Sequence, residues 1–254
     1  MGFMNLFKHV LGDDWGVHPE DHKRPAADRP VRTMPVPARL FLPLQQHLGA
    51  PARPVVLVGQ KVKKGELIAE AQGMISAPLH APTSGSIAAV TEITAPHPSG
   101  LSLQAIILEA DGLDEWGELV GCADPFALDP AEIGKRVAAA GVVGLGGAAF
   151  PSAVKLNGAS RSKVTTLIMN GGECEPYLSC DDRQMRDHAA AIVDGIRIML
   201  HATGAAVALV GIEDNKPDAL AAMQAAAAGV DKVEIRPVTA RTPIGSEKQL
   251  VQGP

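Results

Sequence analysis

From residue 129 onward the chain alternates apolar runs too short for helices with longer helical stretches, and this alternation restricts the fold more than any other feature. VTTLIMN, AVALVGI and VEIRPV read as strands, whereas the segment from about Arg183 to Ala202 and KPDALAAMQAAAA read as helices. Strands separated by helices form βαβ units, so the expected product is an α/β fold, a Rossmann-like parallel-sheet domain over residues 129–254. Its first helix is marked by DPAEIGKRVAAAG: Asp129 caps it, Pro130 suits the first position, Glu132 completes a capping box and Gly141 ends it.

Upstream the rhythm differs. From Val36 to about Ala110 the sequence runs in short β-like pieces, PVVLVG, ELIAEA, GSIAAV and AIILEA, separated by Gly, Pro and Ser turns. That pattern predicts a small all-β unit over residues 36–110. Its VGQKVKKGELIAEAQGMISAPLHAPTSGSIAAV resembles the barrel-sandwich fold of biotinyl and lipoyl carriers. Gln72-Gly73-Met74 stand where a carrier presents its modifiable lysine, so a structural role is expected and not a swinging arm. Residues 111–128, with DGLDEWGEL, are expected to link the two parts. Residues 1–35, with GVHPEDHKRPAADRP, are expected to form an extended arm that wraps onto something else. His18 and His22 have a metal-like spacing, but Pro19 between them favours an ordinary loop.

The formal net charge of −5 and the lack of a long basic block give nucleic acid no electrostatic footprint. No stretch reaches the ~20 continuous apolar residues of a membrane helix. The start, MGFMNLFKHVLGDDWG, carries acids where a signal peptide is apolar, and Leu6 replaces the Ser or Thr of a myristoylation signal. Cys122, Cys174 and Cys180 form no CxxC pair. They read as free thiols in the reducing cytoplasm, without the four thiolates that a cubane iron–sulfur cluster wants.

Two constellations carry chemistry. Gly144-Leu-Gly146-Gly147-Ala148-Ala149 satisfies GxGxxA, yet it follows a helix, and the dinucleotide fingerprint must follow a strand. Its physics remains: bare amides followed by Pro151 at the start of a short helix make an anion nest, with Lys155 as the cation. A tight helix-to-helix turn beside a solvent lysine is the plainer alternative. Beyond the strand VTTLIMN, where open α/β sheets bind ligands, stand Asn170, Glu173 and Glu175. Asn170 can bond a heterocycle edge, and a glutamate can accept from ribose or ribityl hydroxyls. Equally, Asn170 can close a turn and the glutamates can form an exposed acidic loop. Asp181 and Asp182 read as N-caps of the next helix and not as a catalytic pair. Gly245-Ser246-Glu247 says nothing alone.

Together GLGGAAFPSAVKL, NGGECEPYLSCDDRQMRDHA and GSEKQL resemble the C subunit of the Rnf electron-transport complex, and more distantly the flavin-bearing NADH-binding subunit of respiratory complex I. GVHPEDHK, PLQQHLG and PLHAPTSG are similar to early segments of the same Rnf protein, so the resemblance covers nearly the whole chain. It implies an NADH-oxidising, FMN-dependent oxidoreductase subunit passing electrons between NADH and a ferredoxin-type carrier, coupled to ion translocation. It also implies peripheral docking on other Rnf subunits at the cytoplasmic face of the bacterial inner membrane. Hydride transfer is chemistry of the cofactors, so no catalytic acid or base and no metal ligand is expected in the chain.

By position, the resemblance implies that Gly144, Gly146, Gly147 and Lys155 hold the flavin phosphate and ribityl tail, and that Phe150 stacks on adenine. Asn170 and Glu173 should face the flavin, Glu175 the nicotinamide nucleotide, and Gly245 and Glu247 should close the flavin pocket from the far side. Gly172 departs from the aspartate of complex I. The family continues into a ferredoxin-like part with two 4Fe-4S clusters, which implies that a chain stopping at GSEKQLVQGP is a fragment. Two alternatives stand beside this reading: a flavin-dependent cobalamin reductase of diol metabolism, and a docking subunit that binds flavin poorly. ECEPYLSCDDRQM favours the Rnf family over the reductase.

Overall fold

The computed structural model describes residues 16–252, the side chains of residues 160, 161 and 252 aside. The first half of the expected arm, with its signal-peptide and myristoylation readings, lies outside the described residues. The chain divides into two compact units, one of residues Thr33–Lys163, the other joining the segment up to Arg32 to everything from Val164 on. The arm, with its short helix α1 (Arg24–Ala27), thus belongs with the C-terminal part.

The unit 33–163 holds β1 (Arg39–Pro43), β2 (Arg53–Pro54), β3 (Lys61–Val62), β4 (Leu67–Glu70), β5 (Leu79–His80), β6 (Gly85–Thr94) and β7 (Ser102–Ala110). One sheet has the order β1-β7-β6-β3 and the other β2-β4-β5, every neighbour antiparallel. Ile68 and Ala69 of β4, Ile87 of β6, and Ile106 and Leu108 of β7 form one core with Val56, Val62 and Ala81. The predicted strand PVVLVG contributes only Pro54 to a strand. Leu57 and Val58 are exposed on a turn that Gln60 N closes onto Leu57 O at 3.0 Å. Gln72-Gly73-Met74 also form an exposed bend, with Gly73 at φ 71°.

Residues 114–117, expected as linker, are fastened to this unit. Lys64 N donates to Glu115 O and Gly117 N to Lys64 O, both at 2.9 Å, while the Lys64 ammonium lies 4.8 Å from the Trp116 ring centroid. Helices α2 (Pro130–Ala139) and α3 (Ser152–Ser162) complete the unit. Asp129 Oδ1 accepts from Ala131 N at 2.8 Å with Pro130 in the first turn, so the predicted cap forms. Gly134 lets α3 approach, since a Cβ there would sit 2.7 Å from Asn157 Oδ1.

The second unit carries β8 (Thr166–Gly171), β9 (Val207–Glu213) and β10 (Val233–Val238), all parallel, in the order β10-β9-β8. Helices α4 (Cys180–Asp187) and α5 (Ala189–Thr203) connect β8 to β9, α6 (Pro217–Ala227) connects β9 to β10, and α7 (Glu247–Gln252) follows. Ala208, Val210 and Ile212 of β9 share a core with Met185 of α4, Val193, Ile196 and Leu200 of α5, and Ala219 and Met223 of α6. On the opposite face Leu250 of α7 lies over Gly211, where a Cβ would meet Leu250 Cδ1 at 2.8 Å. Cover on both faces is why VALVGI is apolar throughout and does not alternate. The single helix predicted from Arg183 to Ala202 is two, because His188 (φ −130°, ψ 27°) leaves helical values.

The long β6–β7 pair requires glycine at one point. A Cβ on Gly85 would overlap the carbonyl oxygen of Glu109 on β7. Gly85→Ala should therefore cost about 3 kcal/mol by forcing the strands apart, read as a lower urea midpoint. An unchanged midpoint would show that the pair adjusts freely.

Candidate functional site

Candidate residues fall in two places, one in each unit. The first is the loop joining α2 to α3. Gly144 N donates to Phe150 O, Ala149 N to Gly146 O and Ser152 N to Val142 O, each at 2.9 Å, and Val143 bridges to Pro151. These bonds close the neck and leave the tip outside, with Leu145 89% exposed. Among the described residues, no protein acceptor takes the amides of Leu145, Gly146, Gly147 or Ala148. A Cβ on Gly146 or Gly147 would have nothing within 4 Å. Glycine is therefore not demanded here by packing; its effect is to keep consecutive amides bare, the arrangement of an anion nest. Lys155 stands in the first turns of α3, exposed, with its ammonium 5.7 Å from the Phe150 ring centroid.

The second place lies beyond the carboxyl ends of β8 and β9. Asn170 Oδ1 accepts from Gly172 N at 3.0 Å and its Nδ2 donates to Gly245 O at 2.7 Å, stapling the loop after β8 to the segment before α7. Gly172 and Gly245 meet backbone to backbone, for a Cβ on Gly172 would sit 2.9 Å from Gly245 Cα. An aspartate at 172 has no room in this arrangement. Gly245 N donates to Cys174 Sγ at 2.9 Å. Burial pushes the Cys174 thiol above its ordinary pKa; burial and the nearby Asp181 and Glu173 do the same to Cys180. Both therefore stay protonated at neutral pH, as poor nucleophiles.

Glu173 is 1% exposed and points inward. Its Oε1 accepts from Asp181 N at 2.8 Å, and its Oε2 lies 3.5 Å from the Lys23 ammonium. The N-terminus of α4 is thus capped by a carboxylate from the preceding loop, where it also meets the helix dipole. Neither Asp181 nor Asp182 takes the capping role predicted from sequence; both lie within the first turn. Asp182 instead pairs with Arg186 one turn on, at 3.0 Å. Burial raises the carboxyl pKa of Asp181 and of Asp182. Glu173, Cys180 and Asp181 bring ligand atoms within 4.8 Å of one another, but both Glu173 oxygens already serve protein donors. Glu175 is exposed beside this loop, and Glu247, also exposed, opens α7.

Three residues at this place escaped the sequence reading. Glu213, 2% exposed at the end of β9, accepts from Glu173 N at 3.0 Å and from the buried Lys216 ammonium, with Cys174 Sγ 3.6 Å from its other oxygen. IEDNK held a usable signal, an acid closing a buried strand with a lysine three residues on. Lys23 gave none, because its partners lie 150 to 155 residues away.

Residues 14–113 match the RnfC barrel sandwich hybrid domain, and residues 137–253 match the Nuo51 FMN-binding domain. The class is thus a barrel-sandwich unit joined to a domain of the complex I FMN-binding type. The C subunit of the ion-translocating oxidoreductase complex of Rhodobacter capsulatus is 50% identical over 93% of this chain and 46% of its own length. The same protein of Pseudomonas aeruginosa is 47% identical over 88% of this chain and 29% of its own, and that of Serratia proteamaculans 43% over 98% and 36%. The chain belongs to the RnfC family, the C subunits of ion-translocating oxidoreductase complexes. It spans less than half the length of these relatives. An NAD+-reducing NiFe-hydrogenase in the H2-reduced state is 27% identical, over 50% of this chain and 24% of that one, with a TM-score of 0.45. Among the described residues no helix is long and apolar enough to cross a membrane.

The Glu213–Lys216 pair yields a direct test. Lys216→Met leaves a buried carboxylate uncompensated and should cost about 3–5 kcal/mol, whereas the double variant Glu213→Gln/Lys216→Met should cost clearly less than the two single losses added. Additive losses in urea unfolding would show that the pair is not coupled.

Proposed function

We propose that the chain is the FMN-binding, NADH-oxidising part of a subunit of an ion-translocating electron-transport complex. One observation carries this reading beside the family match: the four amides from Leu145 to Ala148 are bare, with open space over Gly146 and Gly147 and Lys155 nearby in sequence. These features fit the phosphate of FMN. Backbone N–H groups bind it without a side chain in the way, and Lys155 supplies opposite charge. FMN, when bound, supplies hydride acceptance from NADH and one-electron release.

The chain's own residues bind and orient. Gly144, Gly146, Gly147 and Lys155 hold the phosphate and ribityl tail, and Phe150 offers a ring face to adenine. Asn170 and Glu173 order the flavin-facing loop, Gly245 and Glu247 close it from the α7 side, and Glu175 accepts from ribose hydroxyls. The three parallel strands and their helices serve as the Rossmann-like frame for the loop after β8. In the longer protein of the family, electrons pass through 4Fe-4S clusters to or from a ferredoxin-type carrier, with other subunits of the complex at the cytoplasmic face of the membrane. The names of the relatives, as members of ion-translocating oxidoreductase complexes, support that setting.

Gly147→Val tests the flavin. Because no atom of the described residues lies within 4 Å of a Cβ at this position, the variant should fold normally while its side chain occupies the phosphate's place. FMN affinity measured by fluorescence titration should fall about a hundredfold, the loss of one or two charge-assisted hydrogen bonds. Unchanged affinity would move the phosphate elsewhere.

A second test concerns the nucleotide. Glu175 repels a 2′-phosphate, so NADH should bleach bound FMN faster than NADPH, and Glu175→Gln should narrow that gap. Equal rates with both nucleotides before and after the substitution would remove Glu175 from the nucleotide site.

A further inference from the structure

The arm is tied to the rest of its unit at several points, among them the loop after β8. Val17 and Thr242 exchange backbone hydrogen bonds at 2.9 and 2.8 Å, and Tyr177 N donates to Asp21 O at 2.8 Å. The rings of His22 and Tyr177 stack with centroids 5.0 Å apart, and Arg186 donates to Ala27 O. Among these contacts lies Lys23, its side chain 12% exposed. Its ammonium donates to the carbonyls of Glu173 at 2.8 Å, Glu175 at 3.1 Å and Leu178 at 2.6 Å, and stands 3.5 Å from Glu173 Oε2.

Three carbonyls and the Glu173 carboxylate converge on one ammonium, enough acceptors to occupy all three of its N–H donors. Residues 172–179 belong to no helix or strand, so these carbonyls have no regular ladder to accept from. The loop also holds Tyr177 at φ 70°, a conformation unfavourable for a bulky residue without external support. A compact ammonium fits such a cup, whereas a planar guanidinium presents its donors in a fork.

We propose that Lys23 is a positioning residue for the nucleotide site: the arm supplies the cation around which residues 173–178 are wound, and this winding sets where Glu175 points. The role of Glu175 rests on the function proposed above; the winding of the loop does not. Lys23 touches no substrate in this account and acts through the loop alone.

The experiment uses the full chain and its Lys23→Met variant. Hydrogen exchange read by mass spectrometry should quicken at least about tenfold in the peptide covering 172–181, where Tyr177 and Asp181 amides are bonded, and stay unchanged in β9 and α5. Unchanged exchange in 172–181 overturns the proposal, and so does loss of protection throughout the unit, which would make Lys23 a general support of the fold. In flavin bleaching, the NADH concentration for half-maximal rate should rise about tenfold while the limiting rate and FMN affinity hold, the mark of lost positioning. Faster loop exchange with an unaltered NADH dependence would leave the winding intact and overturn the nucleotide role of this loop. Lys23→Arg should recover less than half of the lost protection; full recovery would show that charge alone, and not the carbonyl cup, holds the loop.

Discussion

A carboxylate buried at the end of the central strand sets the arrangement of the C-terminal unit. Glu213 is removed from water, and an ion in that position must be matched by charge and by hydrogen bonds on its remaining lone pairs. Lys216 supplies the charge at the entry to α6, and Glu173 N supplies a hydrogen bond from the loop after β8. One carboxylate thereby ties the ends of two neighbouring strands and the start of a helix. Such a pair contributes little net stability, because desolvation offsets most of the attraction. Its effect is to fix where the loop after β8 leaves the sheet. Glu173 and Lys23 then determine its further course.

Glycine acts differently at different places among the described residues, and at one of them it leaves backbone amides open. Gly211 is small so that Leu250 can press onto the sheet, and Gly172 with Gly245 is small so that two backbones can touch. In these cases the missing side chain is replaced by protein. At Gly146 and Gly147 the space stays open and the amides stay unclaimed. An aspartate at the position of Gly172 would therefore change packing as much as polarity. Asn170, bonded to both glycine segments, keeps that contact in register.

What the sequence made legible was local or strongly patterned. AVALVGI became β9 because a continuous apolar run suits a strand covered on both faces, whereas VTTLIMN and VEIRPV became the edge strands β8 and β10, with Glu234 and Arg236 of β10 exposed. The Asp129 cap was legible because donor and acceptor lie two residues apart. PVVLVG misled, since a β-prone run becomes a strand only where a partner edge is available, and Leu57 and Val58 have solvent instead. Asp181 and Asp182 misled for a related reason: the first turn of α4 could use a local acid, but Glu173 reaches it from outside the helix. The contacts of Lys23 span 150 to 155 residues, and no short pattern announces a lysine whose partners are main-chain carbonyls.

The distribution of charge sorts the proposed ligands by their parts. In the C-terminal unit most acids near the loop are answered: Glu173 by Lys23, Glu213 by Lys216 and Asp182 by Arg186. Among the described residues Glu175 and Asp181 have no ion-pair partner, and burial together with Glu173 holds the Asp181 carboxyl above its usual range. Glu175 is exposed in this loop, and its charge favours hydroxyl donors and repels phosphate. In the other unit the glycine loop offers bare N–H groups and a lysine, which favours phosphate and gives hydroxyls nothing comparable. The two places therefore differ, each within its own unit, in the kind of group that their charge suits.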